Sequence, residues 1–288
     1  MYATTPTLAT RFSRGARVLR GDEPLCEDQM RTAAPSIFAQ GKHMSRSERY
    51  TYIPTIEVLR GLRKEGFEPF MVAQGSSRVE GKAEFTKHMI RMRHAGQVQT
   101  KPEANEIILI NSHDGASSYQ MLAGLFRFVC CNGLVVGDVV EDIRIPHKGN
   151  IQGEVIEGAF RVLDEFEEVE DHSDAMKALQ IDLREEQALA NAALALRFGE
   201  RLSETTGEQL PAPVTAEQLT QARRAEDCGR SLWTTFQRIQ ENVMRGGQTG
   251  RNPQGKRIQT RPVGSIDRGV SLNRALWMLA EEMRKLKA

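Results

Sequence analysis

Lys87, Arg91 and Arg93 fall on one side of Glu84–His94 (EFTKHMIRMRH), whose side chains alternate in the manner of a strand. Phe85 and Met89 share that side; Thr86, His88, Ile90 and Met92 oppose it. Cations about 7 Å apart along a strand face match the phosphate spacing of an extended single strand. Arg78 and Lys82 would stand at the hairpin end of this face. Phe67, Phe70 and Phe85 could supply rings for base stacking, although each reads first as a core residue. A second cationic element is 246–262 (GGQTGRNPQGKRIQTRP), with four glycines, no acid and the four bases Arg251, Lys256, Arg257 and Arg261. It reads as an exposed, mobile loop whose glycines let phosphates approach the backbone. The chemistry these residues offer is electrostatic capture of a polyanion, with no catalytic residue, cofactor or metal.

Enzymatic signatures are lacking. GxSxG, HExxH, GxxxxGK[ST] and GxGxxG do not occur, and Cys26, Cys130, Cys131 and Cys228 have no metal-ligand spacing. His113-Asp114-Gly115 follows an apolar run, where an active-site residue can sit, but it reads better as a turn held by an Asx interaction. The acid pairs Asp164-Glu165, Glu167-Glu168 and Glu170-Asp171 read as the solvated face of a helix rather than a cation site.

The net charge of +1 conceals strong segregation. Residues 42–101 carry 12 basic and 6 acidic side chains, 102–188 carry 6 and 18, and 229–288 carry 12 and 4. Such asymmetry fits a polyanion-binding surface on the basic parts, or basic and acidic blocks that neutralise each other within one fold. Without an apolar run near the roughly 18 residues of a membrane helix, and without a secretory leader, the default is a cytoplasmic, non-membrane protein.

The elements that must position these residues follow from periodicity. Residues 1–45 read as a loosely ordered arm. Ile56, Leu59 and Leu62 recur at helical spacing behind Thr55, and Gly66 ends that helix. Residues 67–75, 84–94 and 106–112 read as three strands of an antiparallel meander, 117–131 as a mostly buried helix, and 134–145 as one or two further strands. Residues 151–199 are helical, with a break expected near His172-Ser173. After a linker at 205–214, helices are expected from Ala216, over 229–244 and over 271–287, the last with Leu272, Leu276, Leu279 and Met283 on its apolar face. The fold class is α+β: an N-terminal antiparallel β-meander with a packed helix in 46–150, then a mainly helical region, 151–288.

Two phrases carry a resemblance: Leu272-Asn273-Arg274-Ala275-Leu276-Trp277, preceded by Gly264-Ser265-Ile266-Asp267-Arg268, and Phe128-Val129-Cys130-Cys131-Asn132-Gly133-Leu134. They resemble a plasmid- and phage-borne family defined by a domain of unknown function, which implies a bacterial mobile-element context. In its order of elements, 46–150 also resembles the β-β-β-α core of single-strand annealing recombinases. That second resemblance implies single-stranded DNA in a basic groove, Arg127 on the groove helix, and assembly as a homo-oligomer. The function expected is therefore DNA binding, favouring single strands. The alternative is a protein-interaction module acting through the acidic helix 164–186.

Overall fold

Apolar stretches of the first half become an antiparallel sheet, because each strand finds its neighbour in chain order. In the computed structural model, β1 (Ala16–Arg20), β2 (Phe67–Gly75), β3 (His88–His94), β4 (Glu103–Asn111), β5 (Tyr119–Arg127) and β6 (Asn132–Val135) pair successively, and β7 (Ile143–Ile145) also pairs with β5. The structure describes residues 16–46, 52–77, 79, 81–95, 103–117, 119–127, 132–136, 143–145, 151–164, 166–199 and 210–287. The fold is α+β, and the expected meander is present as β2–β3–β4.

The sheet curls. Arg20 on β1 and Arg93 on β3 both lie over the ring of Phe126 on β5, at 4.6 and 4.3 Å from its centroid. In a flat sheet β1 and β5 would be four spacings, about 19 Å, apart. Helix α2 (Thr55–Lys64) packs Ile56, Val58, Leu59 and Leu62 inward, and Gly66 at φ +87° turns the chain into β2, as the spacing predicts.

Three expectations for this half are corrected. Residues 16–45 are ordered: β1 pairs with β2, α1 (Glu27–Ala33) and a 3₁₀ turn (Pro35–Phe38) follow, and Leu25, Met30 and Ile37 are buried. The helix expected over 117–131 is strand β5; residues 118 and 128–131 lie outside the described residues. Tyr119, Met121, Leu122, Ala123, Leu125 and Phe126 are all buried because β5 is a central strand covered on both faces, which removes the alternation that marks a half-exposed strand. The β-β-β-α order is therefore absent, and the likeness to annealing recombinases goes with it.

The chain divides into two compact units, Met1–Glu167 with Gly264–Ile266, and Glu168–Val263 with Asp267–Ala288. Helix α3 (Ile151–Asp164) closes the first. The second is mainly helical: α4 (Phe166–Ala178), α5 (Leu183–Phe198), α6 (Ala216–Leu219), α7 (Leu232–Arg245) and α8 (Ile266–Lys287). The break expected at His172-Ser173 lies instead at 179–182, where Asp182 and Glu185 form a reciprocal capping box, while His172 and Ser173 lie inside α4. Trp277 meets Trp233 and Phe236 edge-on in the core of this unit, at 6.5 and 5.9 Å between centroids, and Trp233 lies tilted against Phe236 at 5.9 Å. Between α7 and α8 the expected mobile loop is a hairpin, β8 (Thr249–Arg251) and β9 (Arg257–Gln259). Half of the linker at 205–214, residues 205–209, falls outside the described residues. Among the described residues no helix is long and apolar enough to cross a membrane.

Candidate nucleic-acid interface

Alternation along β3 does place Arg91 and Arg93 on one face, but that face is the inside of the curled sheet. Both are buried, at 4% and 3% exposure, and both engage Glu106 on β4, itself 1% exposed. Arg91 Nε donates to Glu106 Oε2, Arg93 donates to Oε1 at 2.9 and 3.0 Å, and Arg91 Nη2 reaches the Leu134 carbonyl of β6 at 2.7 Å. The Arg93 guanidinium is stacked against both Phe70 and Phe126. Gly124 and Gly133 make room for Arg91: a Cβ on either would approach its guanidinium within 2.8 Å. Burial alone would push the Glu106 carboxyl up, but Arg91 and Arg93, with Arg20 beyond, outweigh it and hold the group below the usual carboxylate range. These two arginines face a carboxylate and two rings rather than solvent, which corrects their reading as exposed phosphate ligands.

The other residues of the expected groove are buried, already engaged or outside the described residues. Arg127 is buried. Lys82 bonds the Asp114 carboxylate at 3.1 Å, Lys87 is half-buried and already engaged, and Arg78 lies outside the described residues. Phe67 and Phe70 are core residues, and Phe85 meets the His43 ring edge-on at 5.3 Å. At this end of the sheet lies a polar knot with no signal in the sequence. Thr55 Oγ1 accepts from Asn111 Nδ2 at 2.9 Å and lies 3.0 Å from His88 Nε2 and 3.4 Å from His113 Nε2. Ser36 Oγ holds His88 Nδ1 at 3.0 Å. All five side chains are at most 1% exposed, so the knot joins α2 to β3 and β4 and has no opening for a substrate. Burial, then the neighbouring His113, pushes His88 down to about 3, so it is a neutral partner. Asp114 Oδ1 accepts from Ala116 N at 2.9 Å, the Asx turn that His113-Asp114-Gly115 suggested. Among the described residues no group of three or more His, Cys, Asp or Glu could hold a metal. Asp164, Glu167, Glu168 and Asp171 are exposed on α3 and α4, as a solvated helix face should be, while Glu185 and Glu186 pair with Lys287 and Arg238.

The second cationic element is built differently. Gly246, at φ +61°, ends α7, and its missing Cβ would lie 2.7 Å from the Thr260 carbonyl, so the two legs of the hairpin leave the helix in contact. Gln248 Nε2 donates to the Asn242 carbonyl, and Arg251 N donates to the Pro213 carbonyl at 3.1 Å, which fixes the hairpin to the helical unit. Asn252-Pro253-Gln254-Gly255 closes it: Asn252 Oδ1 accepts from Lys256 N, and Gly255 takes φ +75°. Register then sets Arg251 directly opposite Arg257, with Lys256 beside them, all exposed. Like charges placed opposite across a ribbon are unfavourable without a counter-charge. Arg261 follows, exposed, and its carbonyl accepts from Arg197 Nη2 of α5 at 2.9 Å. Arg197, Arg251, Lys256, Arg257 and Arg261 form no salt bridge with an acid among the described residues, whereas Arg224, Arg238, Arg245, Arg284 and Lys287 of the same unit each do.

A family model described as "Domain of unknown function (DUF932)" matches residues 42–277, a span that takes in the polar knot apart from Ser36, the Glu106 side chain with Arg91 and Arg93, and the basic hairpin. Two proteins of Escherichia coli strain K12 are similar over 276 residues, which is 96% of this chain and 97% of theirs: "UPF0380 protein YafZ", 51% identical, and "UPF0380 protein YfjQ", 50% identical. No solved structure matches.

Proposed function

We propose that this chain, which belongs to the DUF932 family, binds nucleic acid through the basic hairpin 249–259 and the arginines at its foot, as a protein of a mobile element. The observation that carries the reading is the Arg251–Arg257 cross-strand pair: two exposed guanidiniums in register, on a ribbon fixed to its unit, with no acid anywhere in 246–262. A fold that gives most other cations of this unit a carboxylate gives these none among the described residues, and a polyanion would supply one. A phosphate backbone is an extended polyanion of matching form, and a two-stranded ribbon is an element that can lie along it. The mobile-element setting rests on the sequence resemblance alone.

Anisotropy of a fluorescein-labelled 30-nucleotide single strand at 50 mM salt tests this reading. With five cations engaged, log affinity should fall with log salt at a slope of about −3.5, at roughly 0.7 per contact for single strands. Arg251→Glu with Arg257→Glu should abolish the signal. No anisotropy change with the wild-type protein at 50 mM salt overturns the reading.

A further inference from the structure

We propose that the helical unit also seats an unpaired nucleobase, in the cavity at the C-terminal end of α5, so that the ligand of the basic hairpin is a single strand. The proposal rests on the nucleic-acid reading above. The cavity measures about 270 Å³ and is walled by Leu194, Phe198 and Gly199 on one side and Leu210 and Pro211 on the other. That is just below the roughly 300 Å³ at which small-molecule sites begin, room for one ring system and not for a folded partner.

A cation lies beside its aromatic wall. Arg197 precedes the Phe198 ring, and its guanidinium lies 5.5 Å from that ring's centroid. The same guanidinium donates to the Arg261 carbonyl, which ties this cation to the residue that follows the hairpin. Half-burial, then the nearby Arg268 charge, pulls the Arg197 pKa below the usual guanidinium value, and no acid in the described residues offsets either effect. An apolar cavity with an aromatic wall, bordered by a cation without a carboxylate, matches a nucleotide in both of its parts: a flat ring for the wall and a phosphate for the cation. In a duplex the bases are stacked and paired, so none is available to enter.

Three fluorescein-labelled 20-nucleotide ligands decide it at one salt concentration: a single strand, a strand of equal length made of abasic residues, and a duplex. The single strand should bind more tightly than the abasic strand by about 5- to 150-fold, the range that corresponds to stacking one base on an aromatic side chain. Phe198→Ala should remove that difference and leave abasic binding unchanged, and Phe198→Trp, which keeps a stacking face, should restore it. Equal affinity for single and abasic strands overturns the base pocket while phosphate binding stands. Failure of all three ligands to bind overturns the underlying reading and the pocket together.

Discussion

Arg91 and Arg93 on β3, and Arg251 and Arg257 on β8 and β9, are the same residue type in the same secondary structure with opposite fates. The first pair lies inside a curled sheet, shares the carboxylate of Glu106 and is stacked on phenylalanine. The second lies on a ribbon of two three-residue strands that has no sheet to curl around it. Alternation determines which side chains share a face; whether that face meets water depends on how many strands join and how far they curl. In the first unit the charges are neutralised inside the core, and in the second they stay exposed, with the Arg251 side chain bonded only to the Gly255 carbonyl of its own turn among the described residues.

Removing Glu106 should give the largest effect, because Glu106→Ala leaves two buried guanidiniums without their carboxylate. A loss of about 3–5 kcal/mol is expected in urea unfolding. A loss below about 1 kcal/mol would mean that the network is not buried as described. Gly133→Ala should come next. Its Cβ would lie 2.6 Å from Arg91 Nη1, and displacing a guanidinium already fixed by Glu106 and the Leu134 carbonyl should cost about 1–3 kcal/mol. A neutral Gly133→Ala would show that Arg91 has room to move.

Acid should also act on the first unit more than on the hairpin. Folding lowers His88 from 6.5 to about 3, so between these values the unfolded chain binds a proton that the folded chain does not. Stability is therefore full above pH 6.5 and is lost as the pH falls towards 3, at about 1.4 kcal/mol per pH unit. His88→Gln should flatten that slope; equal slopes for variant and wild type would remove His88 from the explanation. The smallest effect is expected at the hairpin and has the opposite sign. Arg257→Gln, which relieves a like-charge cross-strand pair, should stabilise by about 0.2–1 kcal/mol while weakening oligonucleotide binding. Destabilisation instead would show that the pair is held by contacts within the protein.

What could be read in the sequence was whatever depends on near neighbours. The helix after Pro54, the β2–β3–β4 meander and the α8 stripe with Leu272 and Leu276 all follow from spacing within a dozen residues. Strand β5 was not legible, because a strand covered on both faces places Leu122, Leu125 and Phe126 at intervals that also suit a helix. The hairpin was too short to show a period, although Asn252-Pro253-Gln254-Gly255 is a turn signal that could have found it. The role of Glu106 was hidden because it begins the apolar run EIILINS, 13 residues from Arg93, and only the curl of the sheet brings the two together. Thr55, His88 and Asn111 lie 33 and 56 residues apart in their bonded pairs, a separation at which no local pattern exists.

The salt dependence of single-strand binding, measured in two variants side by side, separates the two cationic regions most directly. With Arg251, Lys256 and Arg257 all changed to Gln, the slope should drop from about −3.5 to about −1.4, the share of Arg197 and Arg261 at roughly 0.7 per contact. Changing Lys82 and Lys87 to Gln should leave it near −3.5. A hairpin variant that kept the full slope, with the loss falling on the Lys82 and Lys87 variant, would place the nucleic acid on the sheet and contradict the account.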